Sequence, residues 1–135
     1  AEVVPGDVEV GFHLCYGDSG GKHFKEPADT SLLVKIANAI SENSPRAIQW
    51  IHMPVPKERD DSAYFAPLKN LKLGPETRLF LGLVHPGDGI EGTRKRIATA
   101  EKFVRDFSIG TECGFGRREP STIPELLRIH AQVSA

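Results

Sequence analysis

The chain has 135 residues, 39% of them hydrophobic and 26% charged, with a formal net charge of -1. That is enough to bury one core, so a single domain over residues 1–135 is expected, and disordered and fibrous classes are excluded. The near-neutral balance argues against a nucleic-acid partner, and no apolar run reaches the roughly 20 residues that cross a bilayer, so a soluble cytoplasmic protein without a membrane partner is expected.

A first strand is predicted over about residues 8 to 15, followed by a Gly-rich stretch, Gly17 to Gly21, that lacks the Gly-Lys-Ser/Thr ending of a phosphate cradle and reads as a flexible active-site loop. A helix opens near Asp29 or Thr30, with Leu32, Leu33, Ile36, Ala37 and Ile40 as its apolar stripe, and stops around Asn43 to Pro45. The second strand, Ala47 to Met53, ends at Pro54 and Pro56, where a ladder cannot continue, and Trp50 within it reads as core. A short helical segment with Tyr64, Phe65 and Leu68 follows a charged loop.

The third strand, Arg78 to Val84, is an almost unbroken apolar run, the pattern of a strand buried on both faces, and His85-Pro86-Gly87 closes it. The next helix turns Ile97, Ala100, Phe103 and Val104 inward, ends near Asp106, and carries Arg94-Lys95-Arg96 as a solvated face. The fourth strand, Phe107 to Thr111, leads to Glu112 and Cys113. A last helix starts after Pro120, with Thr122 and Glu125 at capping-box spacing and Ile123, Leu126, Leu127 and Val133 on its buried side.

Four strand-then-helix units argue for an α/β fold with a parallel sheet and right-handed crossovers. A closed (β/α)8 TIM barrel needs eight such units and about 250 residues, so this chain supplies half of one. It is expected to be the C-terminal half of a longer barrel, or to close one by self-association or with a second chain. A small open α/β sheet ranks below these.

His13 and Cys15 lie two apart on the first strand, so both side chains point to one side. His52 and His85 end the second and third strand runs, and Cys113, the only other cysteine, follows the fourth. In a β/α repeat these tips gather at the C-terminal edge of the sheet, where such folds build their sites. One disulfide between the cysteines is conceivable, but without a secretory signal, metal or thiol chemistry is the expected use.

His13-Leu14-Cys15-Tyr16, with Glu112-Cys113-Gly114-Phe115-Gly116-Arg117-Arg118 far downstream, resembles the C-terminal barrel of cobalamin-independent methionine synthase. Its wider group includes uroporphyrinogen decarboxylase and the methylcobamide:thiol methyltransferases. The resemblance spans essentially the whole chain but only the last half of that family's barrel. It implies that His13, Cys15 and Cys113 are zinc ligands, that His85 takes part in proton transfer, and that Glu112 contacts an amino acid substrate. The implied activity is transfer of a methyl group from a folate-like donor to a small thiol such as homocysteine.

Two segments depart from the family. Its glutamate ligand on the next strand is missing here, where Ile48-Gln49-Trp50-Ile51-His52-Met53 stands. Either His52 supplies a nitrogen donor or the site keeps three protein ligands and an open position. The segment Pro86 to Gly92 also differs from the family's Ser-Pro-rich loop.

The chemistry fits the residue types. A free thiol near pKa 8.5 is mostly protonated at neutral pH, and zinc holds a bound thiol as thiolate. A leaving amine must receive a proton, for which His85 is the expected acid. Arg117 and Arg118 offer bidentate geometry to substrate carboxylates. The alternatives are a decarboxylase-like or lyase-like relative with another substrate, and a non-catalytic, metal-binding partial barrel.

Overall fold

The structure, a computed structural model, describes residues 3–19, 22–23 and 25–134, with the side chains of residues 18, 19, 22, 23 and 117 outside that description. In chain order the elements are β1 (Gly11–His13), β2 (Asp18–Ser19), β3 (Lys22–His23), α1 (Ser31–Asn43), β4 (Trp50–Pro54), α2 (Ser62–Phe65), β5 (Arg78–Val84), α3 (Gly89–Ala100), β6 (Phe107–Thr111) and α4 (Ile123–Val133). Short 3-10 turns occupy Ala66–Asn70, Phe115–Arg117 and Pro120–Thr122. Among the described residues no helix is long and apolar enough to cross a membrane.

The main sheet has four parallel strands in the order β1-β4-β5-β6, which is also their order in the chain. Right-handed crossovers then lay the helices against one face. That face holds the core: Ile51 and Met53 of β4 and Leu79, Leu81 and Leu83 of β5 pack with Leu33, Val34 and Ala37 of α1 and with Tyr64, Phe65 and Leu68. A smaller cluster joins Val84 to Leu126 and Ile129 of α4.

Strands three and four fall where the apolar runs predict. β1 is shorter than expected, although Gln49 N–H to Val10 O (2.8 Å) and Leu14 N–H to His52 O (2.9 Å) carry its pairing one residue beyond each end. The Gly-rich stretch holds a small hairpin, β2 with β3, that sequence reasoning missed. Gly20 and Gly21, part of the expected flexible loop, lie outside the described residues.

Asp29 Oδ1 accepts the Ser31 N–H at the start of α1 (2.8 Å). The buried stripe is rotated from the expected one, however: Val34 is in, while Leu32 and Ile36 are 57% and 39% exposed. In α4 Ile129 takes the place expected for Leu127, which is exposed. The Thr122 and Glu125 capping box does not form, because Thr122 donates to the Glu119 carbonyl (2.7 Å) and Glu125 pairs with Arg128. Trp50 is half-buried on the face away from the helices, with its ring lying across Gly11, where a Cβ would stand 2.0 Å from it.

Arg96 corrects the reading of a solvated basic face, since it is 1% exposed. Its guanidinium donates to both Asp88 carboxylate oxygens (2.6 and 2.8 Å), to the Leu83 carbonyl (2.8 Å) and to the Lys57 carbonyl (2.8 Å). A buried charge is tolerable when it is paired and its donors are satisfied. The result clamps the loops after β4 and β5 together at the C-terminal edge of the sheet. Gly92 belongs to the same device: a Cβ there would fall 2.1 Å from the Asp88 carboxylate.

Candidate metal centre

The face opposite the helices carries the site. Register pairs Gly11 with Trp50 and His13 with His52 across β1 and β4, and His52 with Phe80 across β4 and β5. His13, Trp50, His52 and Phe80, with Gly110, Thr111, Cys113 and Gly114, line a cavity of about 590 Å³. Cys15 continues the parity of His13, held by the Leu14 bond to β4.

Cys113 reaches the same place from the far edge. Leu81 pairs with Ile109 but Val84 pairs with Thr111, so β5 carries one extra residue between them, a bulge that bends the strand. At Gly82 a Cβ would stand 2.8 Å from Glu112 Cα and 3.0 Å from the Thr111 carbonyl oxygen. The absent side chain lets the backbone after β6 lie against β5, carrying Cys113 inward.

The ligand atoms of His13, Cys15 and Cys113 lie within 4.8 Å of one another. His13 Nε2 is 3.5 Å from Cys113 Sγ. Nitrogen and sulfur donors sharing a tetrahedral zinc stand about 3.6 Å apart, from bond lengths near 2.05 and 2.3 Å. The donor set and this spacing therefore fit such an ion without rebuilding the sheet. Cys15 and Cys113 are not joined to each other, so the disulfide alternative is not realised.

His52 is beside this group and not one of its three members. Its Nε2 donates to the Thr111 carbonyl (3.0 Å), and its Nδ1 lies 2.8 Å from His13 Nδ1, the two rings meeting edge to edge with centroids 4.8 Å apart and planes inclined by 28°. Burial, then the neighbouring His13 charge, lower its pKa to about 4 against the opposing pull of the Thr111 carbonyl. Burial lowers that of His13 as well.

His85 sits at the end of β5, 6% exposed, with Nε2 donating to the Val55 carbonyl (2.8 Å). Burial, followed by the Arg96 charge, holds its pKa near 4. A ring so placed is neutral at pH 7 and has its proton committed to a carbonyl. That environment does not suit the imidazolium acid expected from the sequence.

The remaining expected residues spread around the rim. Glu112 is half-buried and near enough to Tyr16 for its charge to help raise the phenol pKa to about 12, an increase caused first by burial. Arg118 is half-buried, its charge felt at His85, and its Nε is buried without a hydrogen-bond partner among the described residues. The Arg117 side chain lies outside the described residues.

Sequence reasoning passed over Tyr64, whose hydroxyl meets Tyr16 (2.7 Å) and the Pro54 carbonyl (3.3 Å), tying the segment after the His-x-Cys pair to α2. Nothing in the spacing of the two tyrosines signals that contact. Comparison of the chain with protein-family models, curated proteins and solved structures finds no match.

Proposed function

We propose that the chain is the zinc-bearing half of a (β/α)8 barrel that transfers a methyl group to a small thiol, with His13, Cys15 and Cys113 as the protein ligands. One observation carries this reading: three donors from the two opposite edges of a parallel sheet converge within 4.8 Å at its C-terminal end. Two thiolates and an imidazole are a zinc donor set, and three protein ligands leave one position for a substrate. The strand order supports the barrel, because consecutive order without reversal is that of a singly wound barrel, whereas doubly wound sheets reverse direction at a switch point.

When bound, zinc would hold the acceptor sulfur as thiolate at neutral pH. In the transfer that sulfur would bond to the methyl carbon as the nitrogen–carbon bond of a folate-like donor breaks, and the amine nitrogen would keep the electron pair and take a proton from solvent water. Glu112 offers its carboxylate to a substrate ammonium group, and the Arg118 guanidinium offers itself to a carboxylate. Trp50 and Phe80 supply the apolar wall of the cavity beside the donors. The same apolar wall favours, as second reading, a relative with a changed and less polar substrate.

The test is alkylation of small thiols at pH 7 by zinc-loaded protein, with a methylated folate and with a simple methylating reagent. Methyl transfer above background, lost in Cys15→Ser, is the expected result. Equal rates with and without protein for both donors contradict the reading.

A further inference from the structure

We propose that His52 is a positioning residue and not a ligand: by accepting the Nδ1–H of His13 it fixes the tautomer that turns the bare Nε2 of His13 toward the two thiols. The inference rests on the metal reading for its purpose, but its geometry stands on hydrogen-bond direction between two neutral imidazoles. The Thr111 carbonyl can only accept, so His52 Nε2, 3.0 Å away, carries the hydrogen. A neutral imidazole has one N–H, so His52 Nδ1 is a lone pair. That lone pair faces His13 Nδ1 at 2.8 Å, which must therefore be the donor. His13 Nε2 is then the acceptor nitrogen, and it is the atom found 3.5 Å from Cys113 Sγ.

The relay runs from the backbone of β6 through β4 to β1, so three strands fix one ring. To ligate a metal itself, His52 would have to release either His13 or Thr111. A histidine ligand commonly donates its second nitrogen to an acceptor that sets tautomer and orientation, and loss of such an acceptor lowers metal affinity roughly 10- to 100-fold. Here a neighbouring imidazole takes the place usually held by a carboxylate or carbonyl.

Long-range 1H–15N spectra of the metal-free protein read the tautomers directly. His13 should be protonated at Nδ1 in the wild type. His52→Leu should abolish that preference, and His52→Asn, whose amide oxygen can stand where Nδ1 was, should restore it. After loading with 113Cd, coupling should appear to His13 Nε2 and not to His52, with affinity about 10- to 100-fold weaker in His52→Leu and recovered in His52→Asn. A wild-type His13 protonated at Nε2, or cadmium coupling to a His52 nitrogen, overturns the proposal whether or not the leucine variant folds. Wild-type protein that binds no cadmium overturns the metal reading instead, and the two failures are told apart by the metal-free tautomer.

Discussion

At position 85 an imidazole ends a fully buried stretch of strand, and its surroundings decide its charge. Unfolded, the ring titrates near 6.5; folded, it titrates near 4. Between those values the unfolded chain binds more protons, so His85 makes stability fall as pH drops from about 6.5 to about 4, by about 3 kcal/mol in all, and adds nothing further below that. His85→Gln keeps an N–H for the Val55 carbonyl without a titrating group. Urea denaturation across this window should therefore show a shallower pH dependence in the variant, and an unchanged slope would contradict the assignment. Asp88, held below the usual carboxylate range by Arg96, loses its contribution only at lower pH. His13, Cys15 and Cys113 were legible from the sequence because i, i+2 spacing and strand ends follow from chain geometry. The setting of His52 was not, since it depends on a carbonyl 59 residues away. The burial of His85 was equally hidden, because it depends on loops that Arg96 draws together.

Among the elements, the bulge in β5 has the most direct bearing on the site. The apolar run Arg78 to Val84 gives the strand's extent, but its pattern does not reveal that one residue is skipped against β6. Gly82 is the trace of that skip, because only a bare Cα admits the Glu112 backbone so closely. Gly82→Ala should cost about 1–3 kcal/mol through overpacking and, by displacing Cys113, weaken metal binding more than the stability loss explains. Chelator competition on folded variant protein checks this; wild-type affinity in the variant would contradict the role given to the bulge. The helices illustrate a different limit. The apolar stripes of α1 and α4 have the period the sequence predicts but a rotated buried face, since both helices contain more apolar positions than the sheet covers. Leu32, Ile36 and Leu127 are the surplus.

Across the molecule, that surplus is not spread evenly. Val8, Phe12, Leu32 and Ile36 lie in the first strand–helix unit and Leu127 in the last, while the two middle units contribute no exposed large hydrophobic among the described residues. β1 and β6 are the sheet's open edges. Apolar flanks beside unpaired strand edges favour association. Sedimentation velocity should show concentration-dependent self-association that Phe12→Lys with Ile36→Lys suppresses, and a monomer at every concentration would count against completion of the fold by a second copy. The alternation of strands and helices was legible because each element declares its own period. How the sheet's outer face is completed was not, because it depends on surfaces that no local pattern describes.

X-ray absorption at the zinc edge, on protein purified without chelator, tests the central claim most directly. About one zinc per chain is expected, with two sulfur neighbours near 2.3 Å, nitrogen near 2.0 Å, and one remaining light atom. A metal shell without sulfur, or no bound zinc, would contradict the convergence of His13, Cys15 and Cys113 on a shared ion.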